Sequence, residues 1–266
     1  MTLRIERYGD VARLRMSSIG SRAFGMDVSA YVVRGVMIDT GFHHARSELD
    51  AARRELRVDA AIITHWHEDH AGNAAMLAWH GVPMLVRPDT EITLRERPRI
   101  RLYRRLLWGH PPALDAALLH FESDTLEVIH TPGHSPDHQV VFDRETGTLF
   151  SGDLWLGVRS HVLHATENPY QIALSLARAA ALSPARMFDA HRGLVARPVE
   201  ALTARRAWLL ETLADVERRI AEGWDDAEIV KRVLGGEERA ALVSRGDYSR
   251  RNFVRAVRRG DVGRGA

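Results

Sequence analysis

The length, composition and charge of the chain exclude several classes of protein before any motif is considered. Its 266 residues are 45% hydrophobic and 27% charged with 20 Gly and 10 Pro, which suits a globular fold with a substantial core and excludes disordered and fibrous chains. Lys and Arg (37) nearly balance Asp and Glu (35), giving a net charge of +2, and the absence of Cys excludes disulfides, thiolate nucleophiles and iron–sulfur clusters.

The predicted elements of the first part alternate between strands and helices. Alternating or continuous apolar runs indicate strands, and apolar residues at helical spacing indicate helices. In chain order we expect strands within Leu3–Met16 and at Ala30–Ile38, a helix at Ala45–Leu56, a strand at Val58–Thr64, a helix at Ala71–Trp79 and a strand at Met84–Arg87.

The stretch that follows, Asp89–Leu119, has a different composition. It is rich in Arg and is interrupted by Pro98, Pro111 and Pro112, so it is predicted to consist of helices inserted between strands. The alternation then resumes, with strands expected at Thr125–His130, Gln139–Phe142 and Thr148–Phe150, a helix at Tyr170–Leu182 and a strand at Arg186–Ala190.

From Pro198 onward the pattern is helical. Leu209, Leu213, Val216 and Ile220 recur at spacings of three and four residues and so form one apolar helix face. Shorter helices are predicted at Asp225–Leu234, Glu237–Val243 and Tyr248–Arg258. We therefore expect a first domain of alternating strands and helices over residues 1–196, with an insert at about 89–119, and a helical C-terminal segment over residues 197–266.

The densest polar cluster, Thr64–His70, follows directly after an apolar strand. It holds His65, His67, Asp69 and His70, and such imidazole and carboxylate ligands suit Zn²⁺ and similar ions. In a loop, residues two apart can converge on one ion while the following Asp and His turn toward another. A polar helix start capped by Asp69 is the alternative, and the density of ligands favours the metal site.

Three later segments present single ligands at the ends of strands. His134 lies in a Thr-Pro-Gly-His turn, Asp153 follows the strand that ends at Phe150, and His191 follows the strand that ends near Ala190. In α/β proteins the chemistry is commonly placed where strands end. Each of these residues alone is a weak signal, but together they predict one shared site.

This ordered set resembles the metallo-β-lactamase-fold hydrolase superfamily over about residues 30–195. The pattern H-x-H-x-D-H matches residues 65–70, and every further position of the two-metal version is filled. The resemblance implies an α/β (α+β) fold, an αββα sandwich of two mixed β-sheets facing each other with helices outside. The matching positions are His65, His67, Asp69, His70, His134, Asp153 and His191, with the earlier supporting Asp at Asp39.

The resemblance also implies roles for these residues. His65, His67 and His134 would hold one ion, Asp69, His70 and His191 the other, and Asp153 would bridge them. Two Zn²⁺ are the default, with Fe or Mn as alternatives. The ions would ionise a water between them, and this hydroxide would attack a polarised carbonyl or phosphoryl group. Asp69 and Asp153, which would hold these ions, are therefore the candidate catalytic residues. Asp39 would orient an imidazole from outside the ligand set.

The remaining candidates receive other roles. His138 is four residues after His134, but Pro136 argues against a helix there, so we expect a structural or supporting role outside the ligand set. Substrate-pocket candidates lie shortly after Asp153, where ordinary packing is an equally good interpretation. They are Trp155, His161, His164 and Tyr170.

The metal motif does not select the substrate, because the superfamily contains many hydrolases. We expect cleavage of a small ester, thioester or lactone; the alternative is a nuclease or phosphodiesterase acting on RNA or another phosphodiester. The arginines of Arg95–Arg105 fit a lid that guides an anionic substrate, or a solvated helix face. The Arg-rich run Arg245–Arg264 fits a winged-helix-like unit, which resembles the branch of the superfamily with a C-terminal helical domain. These arginines would follow the backbone of a nucleic acid in a nuclease, or the unit would cap the pocket or pack in a homodimer.

The sequence also predicts the surroundings of the protein. No apolar run is long enough for a transmembrane helix, so no membrane partner is expected. Met1–Asp10 carries charge where a signal peptide needs an apolar stretch, and we expect a cytoplasmic location. The small net charge is only a weak indication of nucleic-acid binding.

Overall fold

The first part of the chain forms one sheet and the helices that cover it. The computed structural model describes residues 2–23, 27–97 and 99–260. In chain order the first elements are β1 (Thr2–Tyr8), β2 (Val11–Ser17), α1 (Ile19–Ala23), β3 (Val28–Val33), β4 (Val36–Ile38), a 3₁₀ turn (His43–Ala45), α2 (Arg46–Glu55), β5 (Ala60–Ile62), α3 (Ala74–Trp79), β6 (Met84–Leu85), α4 (Pro88–Glu96) and α5 (Leu102–Trp108).

The second part forms another sheet with its own helices. Its elements are β7 (Leu126–His130), β8 (Gln139–Asp143), β9 (Thr148–Phe150), β10 (Leu163–His164), α6 (Pro169–Ala181), β11 (Arg186–Asp189), β12 (Gly193–Val195), α7 (Pro198–Ala221), α8 (Asp226–Arg232), α9 (Arg239–Val243), β13 (Tyr248–Ser249) and α10 (Arg250–Arg259).

The two large sheets face each other across an apolar layer. The first has the strand order β1-β2-β3-β4-β5-β6, and the second has the order β12-β11-β9-β8-β7. Because side chains alternate along a strand, Tyr31 and Val33 of β3 point to the second sheet, where they join a cluster that includes Phe150 and Phe188. The rings of these two Phe stack with centroids 5.7 Å apart.

Helices cover the outer face of each sheet. Leu49 of α2, Leu77 of α3 and Trp108 of α5 pack against the first sheet, and Leu176 of α6 and Leu209 of α7 pack against the second. The four layers are therefore helix, sheet, sheet and helix. The predicted fold, a mixed α/β sandwich with helices outside, is confirmed.

The C-terminal segment packs as part of the outer helical layer. Phe253 and Val257 of α10 belong to the same hydrophobic cluster as Leu149 of β9, and β13 pairs with β10. A division into a domain over 1–196 and a segment over 197–266 stays a prediction, and residues 261–266, with Arg264, lie outside the described residues. Among the described residues, none of the helices is both long and apolar enough to span a membrane.

Several elements differ from the sequence-based expectation, for local physical reasons. The stretch Ala30–Ile38 is a hairpin, because Arg34 and Gly35 take positive φ angles of 46° and 78° and reverse the chain. The expected helix at Ala71–Trp79 begins only at Ala74. The short elements α1, β10, β12 and β13 were not predicted, since two to five residues carry no readable periodicity.

The strand ends place the candidate residues at one edge of the sandwich. Residues 63–70 follow β5, residues 131–138 join β7 to β8, residues 151–153 follow β9 and residues 190–192 join β11 to β12. Strands β4 and β5 are parallel, so the residue after β4, Asp39, lies beside the start of the loop after β5. Segments far apart in the sequence thereby meet.

Candidate metal centre

The loops at this edge bring seven potential ligands into two adjacent groups. One group contains His65, His67, His134 and Asp153, and the other contains Asp69, His70 and His191. Within each group the ligand atoms lie within 4.8 Å of one another. All seven side chains are buried except that of His191, which is partly buried.

The first group has the spacing expected around a tetrahedral cation. His67 Nδ1 lies 3.0 Å from His65 Nε2 and 3.0 Å from His134 Nε2, and Asp153 Oδ2 lies 3.3 Å from His134 Nε2. Zinc–nitrogen bonds of 2.0–2.1 Å place tetrahedral ligands about 3.3 Å apart. A single ring nitrogen that faces two others at once is also poorly explained by hydrogen bonding, so this group fits a metal ion.

Asp153 connects the first group to the second. Its other oxygen, Oδ1, lies 3.2 Å from His70 Nε2 and 3.1 Å from His191 Nε2. Asp69 Oδ2 completes this group at 4.0 Å from His70 Nε2 and 3.9 Å from His191 Nε2. In the described part of the chain, Asp153 Oδ1 and His70 Nε2 are buried without a hydrogen-bond partner. Such atoms are well suited to a shared pair of cations.

Contacts behind the ligands fix which ring nitrogen faces the site. His70 Nδ1–H donates to Asp39 Oδ2 at 2.8 Å, and His191 Nδ1–H donates to the carbonyl oxygen of Asp27 at 2.9 Å. His65 Nδ1–H donates to Thr64 Oγ1 at 3.0 Å, and this hydroxyl donates to Asp39 Oδ2 at 2.8 Å. Each contact keeps one proton on Nδ1 and directs Nε2 into the site, where a bound cation would take the place of any second proton.

Charge and burial both favour a cation at this place. Burial lowers the pKa of His65 and of His67 well below its ordinary value, so these imidazoles are neutral. Burial raises the pKa of Asp153, but His70 and His191 outweigh it and hold that pKa well below its usual range. Burial likewise lowers the pKa of His191, and Asp153 and Asp69 raise it to about 9. Without a metal, protons on imidazoles balance the buried carboxylates.

His138 has both ring nitrogens engaged within the protein. Its Nδ1–H donates to Thr131 Oγ1 at 2.9 Å, and its Nε2 accepts the backbone N–H of Asp153 at 3.0 Å. Burial and the neighbouring His134 lower the pKa of His138 to about 3, so the ring is neutral and can accept that bond. His138 therefore holds the backbone of Asp153 and lies outside both ligand groups.

Three further carboxylates support the centre and were missed by the sequence analysis. Asp137 accepts the backbone N–H of Trp66 at 2.8 Å, which ties the loop after β7 to the loop after β5. Asp189 Oδ1 accepts the backbone N–H of His191 at 2.9 Å, and Glu167 Oε1 lies 3.4 Å from His134 Nδ1. Asp137 lies three residues after His134 and Asp189 two residues before His191, and both accept short-range turn contacts that could have indicated them. Glu167 had no such signal.

The four predicted pocket residues lie in two places, three of them against α7 and one nearer the candidate ligands. Three contact α7: Trp155 Nε1–H donates to the carbonyl oxygen of Ala201 at 3.0 Å, His161 packs on Trp208 with centroids 4.5 Å apart, and the Tyr170 hydroxyl donates to Glu217 at 2.6 Å. His164 is nearer the ligands, because its backbone N–H donates to Glu167 at 3.2 Å. A role for these four residues in substrate binding stays a prediction.

The opening to the site lies beside the second ligand group. The side chains of His191 and Asp69 are 16% and 11% exposed, whereas those of His65, His70, His134 and Asp153 are all below 8%. Among the seven candidate ligands, Asp69 and His191 are therefore the most accessible to a substrate. The remaining ligands lie beneath the surface.

The arginines of the insert are mostly used for internal contacts. Arg104 donates to both oxygens of Glu68, at 2.5 and 2.7 Å, in a buried ion pair. Arg95 donates to Glu91 and to the carbonyl oxygen of Leu114, Arg97 to that of Pro111, and Arg101 contacts Asp247. The insert arginines other than Arg104 are nevertheless exposed, so a lid that guides an anionic substrate and a solvated helix face both stay predictions for this segment.

Sequence comparisons relate the chain to known hydrolases. The family model described as the metallo-beta-lactamase superfamily matches residues 24–191. A Drosophila melanogaster protein named beta-lactamase-like protein 2 homolog is 28% identical over 209 residues, 70% of this chain and 68% of that protein. An atrochrysone carboxyl ACP thioesterase of Aspergillus fumigatus is 31% identical over 131 residues, 46% of this chain and 36% of that protein.

The relatives differ from this chain in length. The match spans about half of two fungal lactamase-like proteins, 48% of one from Emericella nidulans and 55% of one from Aspergillus niger. Among solved structures, a metallo-beta-lactamase family protein from Thermus thermophilus has a similar fold, with a TM-score of 0.66 and 20% sequence identity over 97% of both chains.

Proposed function

Because the chain belongs to the metallo-beta-lactamase superfamily, we propose that it is a hydrolase that uses two zinc ions to cleave a small ester, thioester or lactone. The observation that carries this proposal is the placement of Asp153, whose two carboxylate oxygens face two separate ligand groups. A carboxylate in that position can bridge a pair of divalent cations. The His-only nitrogen ligands fit zinc, and Fe and Mn are the alternatives that metal analysis separates.

Each residue of the centre has a separate task in this proposal. His65, His67 and His134 hold one ion, Asp69, His70 and His191 hold the other, and Asp153 bridges them. When bound, the ions lower the pKa of water and polarise the attacked carbonyl oxygen. Asp39 directs the Nε2 atoms of His65 and His70 into the site, directly for His70 and through Thr64 for His65.

The burial of the candidate ligands supports a small acyl substrate. Asp69 and His191 are the most exposed of them, at 11% and 16%. Three of the insert arginines that a nuclease could use to follow a phosphate backbone, Arg95, Arg101 and Arg104, are already in ion pairs. Several relatives carry the name atrochrysone carboxyl ACP thioesterase, which supports a thioester among the candidate substrates. The cytoplasmic location and the homodimer stay predictions.

The test combines metal analysis with a panel of substrates. We expect two zinc ions per chain after zinc loading and hydrolysis of aryl esters or acyl thioesters that a chelator abolishes and zinc restores. Asp153→Asn should lose the second ion and the activity, while Asp215→Asn, at a partly exposed carboxylate on α7, should keep both ions and the activity. Activity on RNA or bis-aryl phosphodiesters without activity on any ester, thioester or lactone would overturn the substrate class.

A further inference from the structure

Helix α5 of the insert is anchored to the loop that carries the first ligands. Arg104 of α5 forms the buried ion pair with Glu68, which lies between His67 and Asp69 in the sequence. Separating these two groups would leave an unpaired charge away from water, so the contact is costly to break. The helix therefore lies close to the first ligand group.

The preceding residue of α5 is anchored to the C-terminal segment. The Tyr103 hydroxyl donates to Asp247 Oδ2 at 2.8 Å, and Arg101 Nε lies 3.3 Å from Asp247 Oδ1. The same Oδ1 lies 3.2 Å from His164 Nε2 on β10. One carboxylate thus joins the insert, the segment after Asp153 and the C-terminal segment.

The contacts continue from His164 to the metal ligands. The His164 backbone N–H donates to Glu167 Oε1, which lies 3.4 Å from His134 Nδ1. Strand β10 pairs with β13, with His164 opposite Tyr248, so the turn that holds Asp247 is fixed to the backbone beside His134. Helix α5 is consequently held on two sides of the centre, at Glu68 and through Asp247.

Tyr248 follows Asp247 in the same turn and packs on His164. Its ring lies 5.1 Å from that of His164, and its side chain is partly buried. Its backbone pairs with that of His164 between β13 and β10. Tyr248 is therefore part of the same anchored unit as Asp247 and His164.

We propose that α5 and the Asp247–Tyr248 turn form one fixed wall of the acyl-binding site, and that Asp247 is a positioning residue that sets which acyl groups the site accepts. The inference rests on the proposed function. A seven-residue helix is too short to be stable alone, so its position depends on its anchors. Weakening one anchor should let the wall move and change the space available to an acyl chain.

The first test measures whether the wall is anchored through Asp247. Tyr103→Phe keeps the ring and removes the hydrogen bond to Asp247, and Tyr8→Phe is the matched control, since it removes a hydrogen bond to Glu6 on β1. Trypsin cleaves after arginine, and the range Arg95–Arg105 contains six. We expect Tyr103→Phe to increase native-state cleavage there about tenfold, with little change in Tyr8→Phe. Equal cleavage rates in the two variants would overturn the anchoring.

The second test measures selectivity in the zinc-loaded enzyme. For a series of acyl esters or thioesters of increasing chain length, Tyr103→Phe and Asp247→Asn should raise KM more than they lower kcat and change the long-to-short ratio of kcat/KM at least about threefold. Metal content should equal that of wild type, because neither residue is a ligand. An unchanged ratio would overturn the role in specificity. If wild type cleaves no ester, thioester or lactone, the proposed function fails, and the trypsin comparison still decides the anchoring.

Discussion

Asp39→Asn tests the link between the contacts behind the ligands and metal binding. Asp39 Oδ1 accepts the backbone N–H of Thr64 at 2.8 Å, and Oδ2 accepts His70 Nδ1–H at 2.8 Å. The backbone donor at Thr64 is fixed, so an asparagine must place its oxygen there and its NH₂ group opposite His70. His70 Nδ1 then has to accept, and its proton moves to Nε2, the atom that faces Asp153.

The expected magnitude follows from that exchange of protons. Nε2–H cannot bind a cation, so each binding event must first move the proton back. Loss of such a supporting partner costs about 10–100-fold in metal affinity, which corresponds to about 1.4–2.7 kcal/mol. The effect should reach the first ligand group as well, because Thr64 Oγ1 links Asp39 to His65.

The assay is competition for zinc against a chromophoric chelator at fixed pH and ionic strength. Asp215→Asn is the matched control, because it makes the same chemical change at a partly exposed carboxylate of α7 and should stay within about twofold of wild type. A thermal unfolding curve of each metal-free variant reports whether the fold is retained. Wild-type affinity for both ions in a folded Asp39→Asn variant would refute the tautomer argument.

Three further changes have defined outcomes. Asp153→Ala should remove the bridge and abolish both the second metal ion and turnover, as atomic spectrometry and rate measurements will report. Asp143→Asn should lower the free energy of unfolding by about 1–3 kcal/mol at pH 7, because Asp143 accepts two hydrogen bonds from Arg34. Gly72→Ala should destabilise the fold by about 3 kcal/mol or more, since the added Cβ would overlap the carbonyl oxygen of Glu68.

Each of these changes has its own control. His138→Ala should be much milder for turnover than Asp153→Ala, and an equal loss would contradict its place outside the ligand set. Burial raises the pKa of Asp143, but hydrogen bonds from Arg34 and Thr146 outweigh burial and hold that pKa below its usual value. The contribution of Asp143 to the free energy of unfolding is therefore present at neutral pH and disappears as the pH falls through that depressed pKa. If the difference in unfolding free energy between wild type and Asp143→Asn, measured with urea, stayed constant down to pH 3, this reasoning would be contradicted.

The glycine prediction depends on the comparison of two sites. Gly81 has a positive φ of 69° but open surroundings, so Gly81→Ala should destabilise the protein by about 1–2 kcal/mol through backbone strain alone. Gly72→Ala meets backbone atoms of Glu68, Gly41 and His43, which cannot rotate away. Equal unfolding midpoints for the two variants would show that the loop behind the ligands yields more easily than its packing indicates.

Local patterns determined most of the layers and the order of the candidate ligands. Apolar runs ending at His65 and Asp153 marked the strand ends, because side chains that alternate or repeat over a few residues report which face of an element is buried. The hairpin turn at Arg34 and Gly35 was not predicted, because the residues around it form a continuous β-rich stretch. The resemblance to a family supplied the pairing of ligands into two groups, and their metal occupancy stays a prediction.

The sequence by itself determined most of the longer strands, the outer helices and the residue types that can bind a cation, since each depends on neighbours along the chain. Only the tertiary structure decided that Glu68 pairs with Arg104, 36 positions away, and that Tyr103 donates to Asp247, 144 positions away. These contacts depend on how the insert and the C-terminal helices pack around two facing sheets. No local periodicity encodes that packing, because the partners meet only after the sheets and helices have assembled.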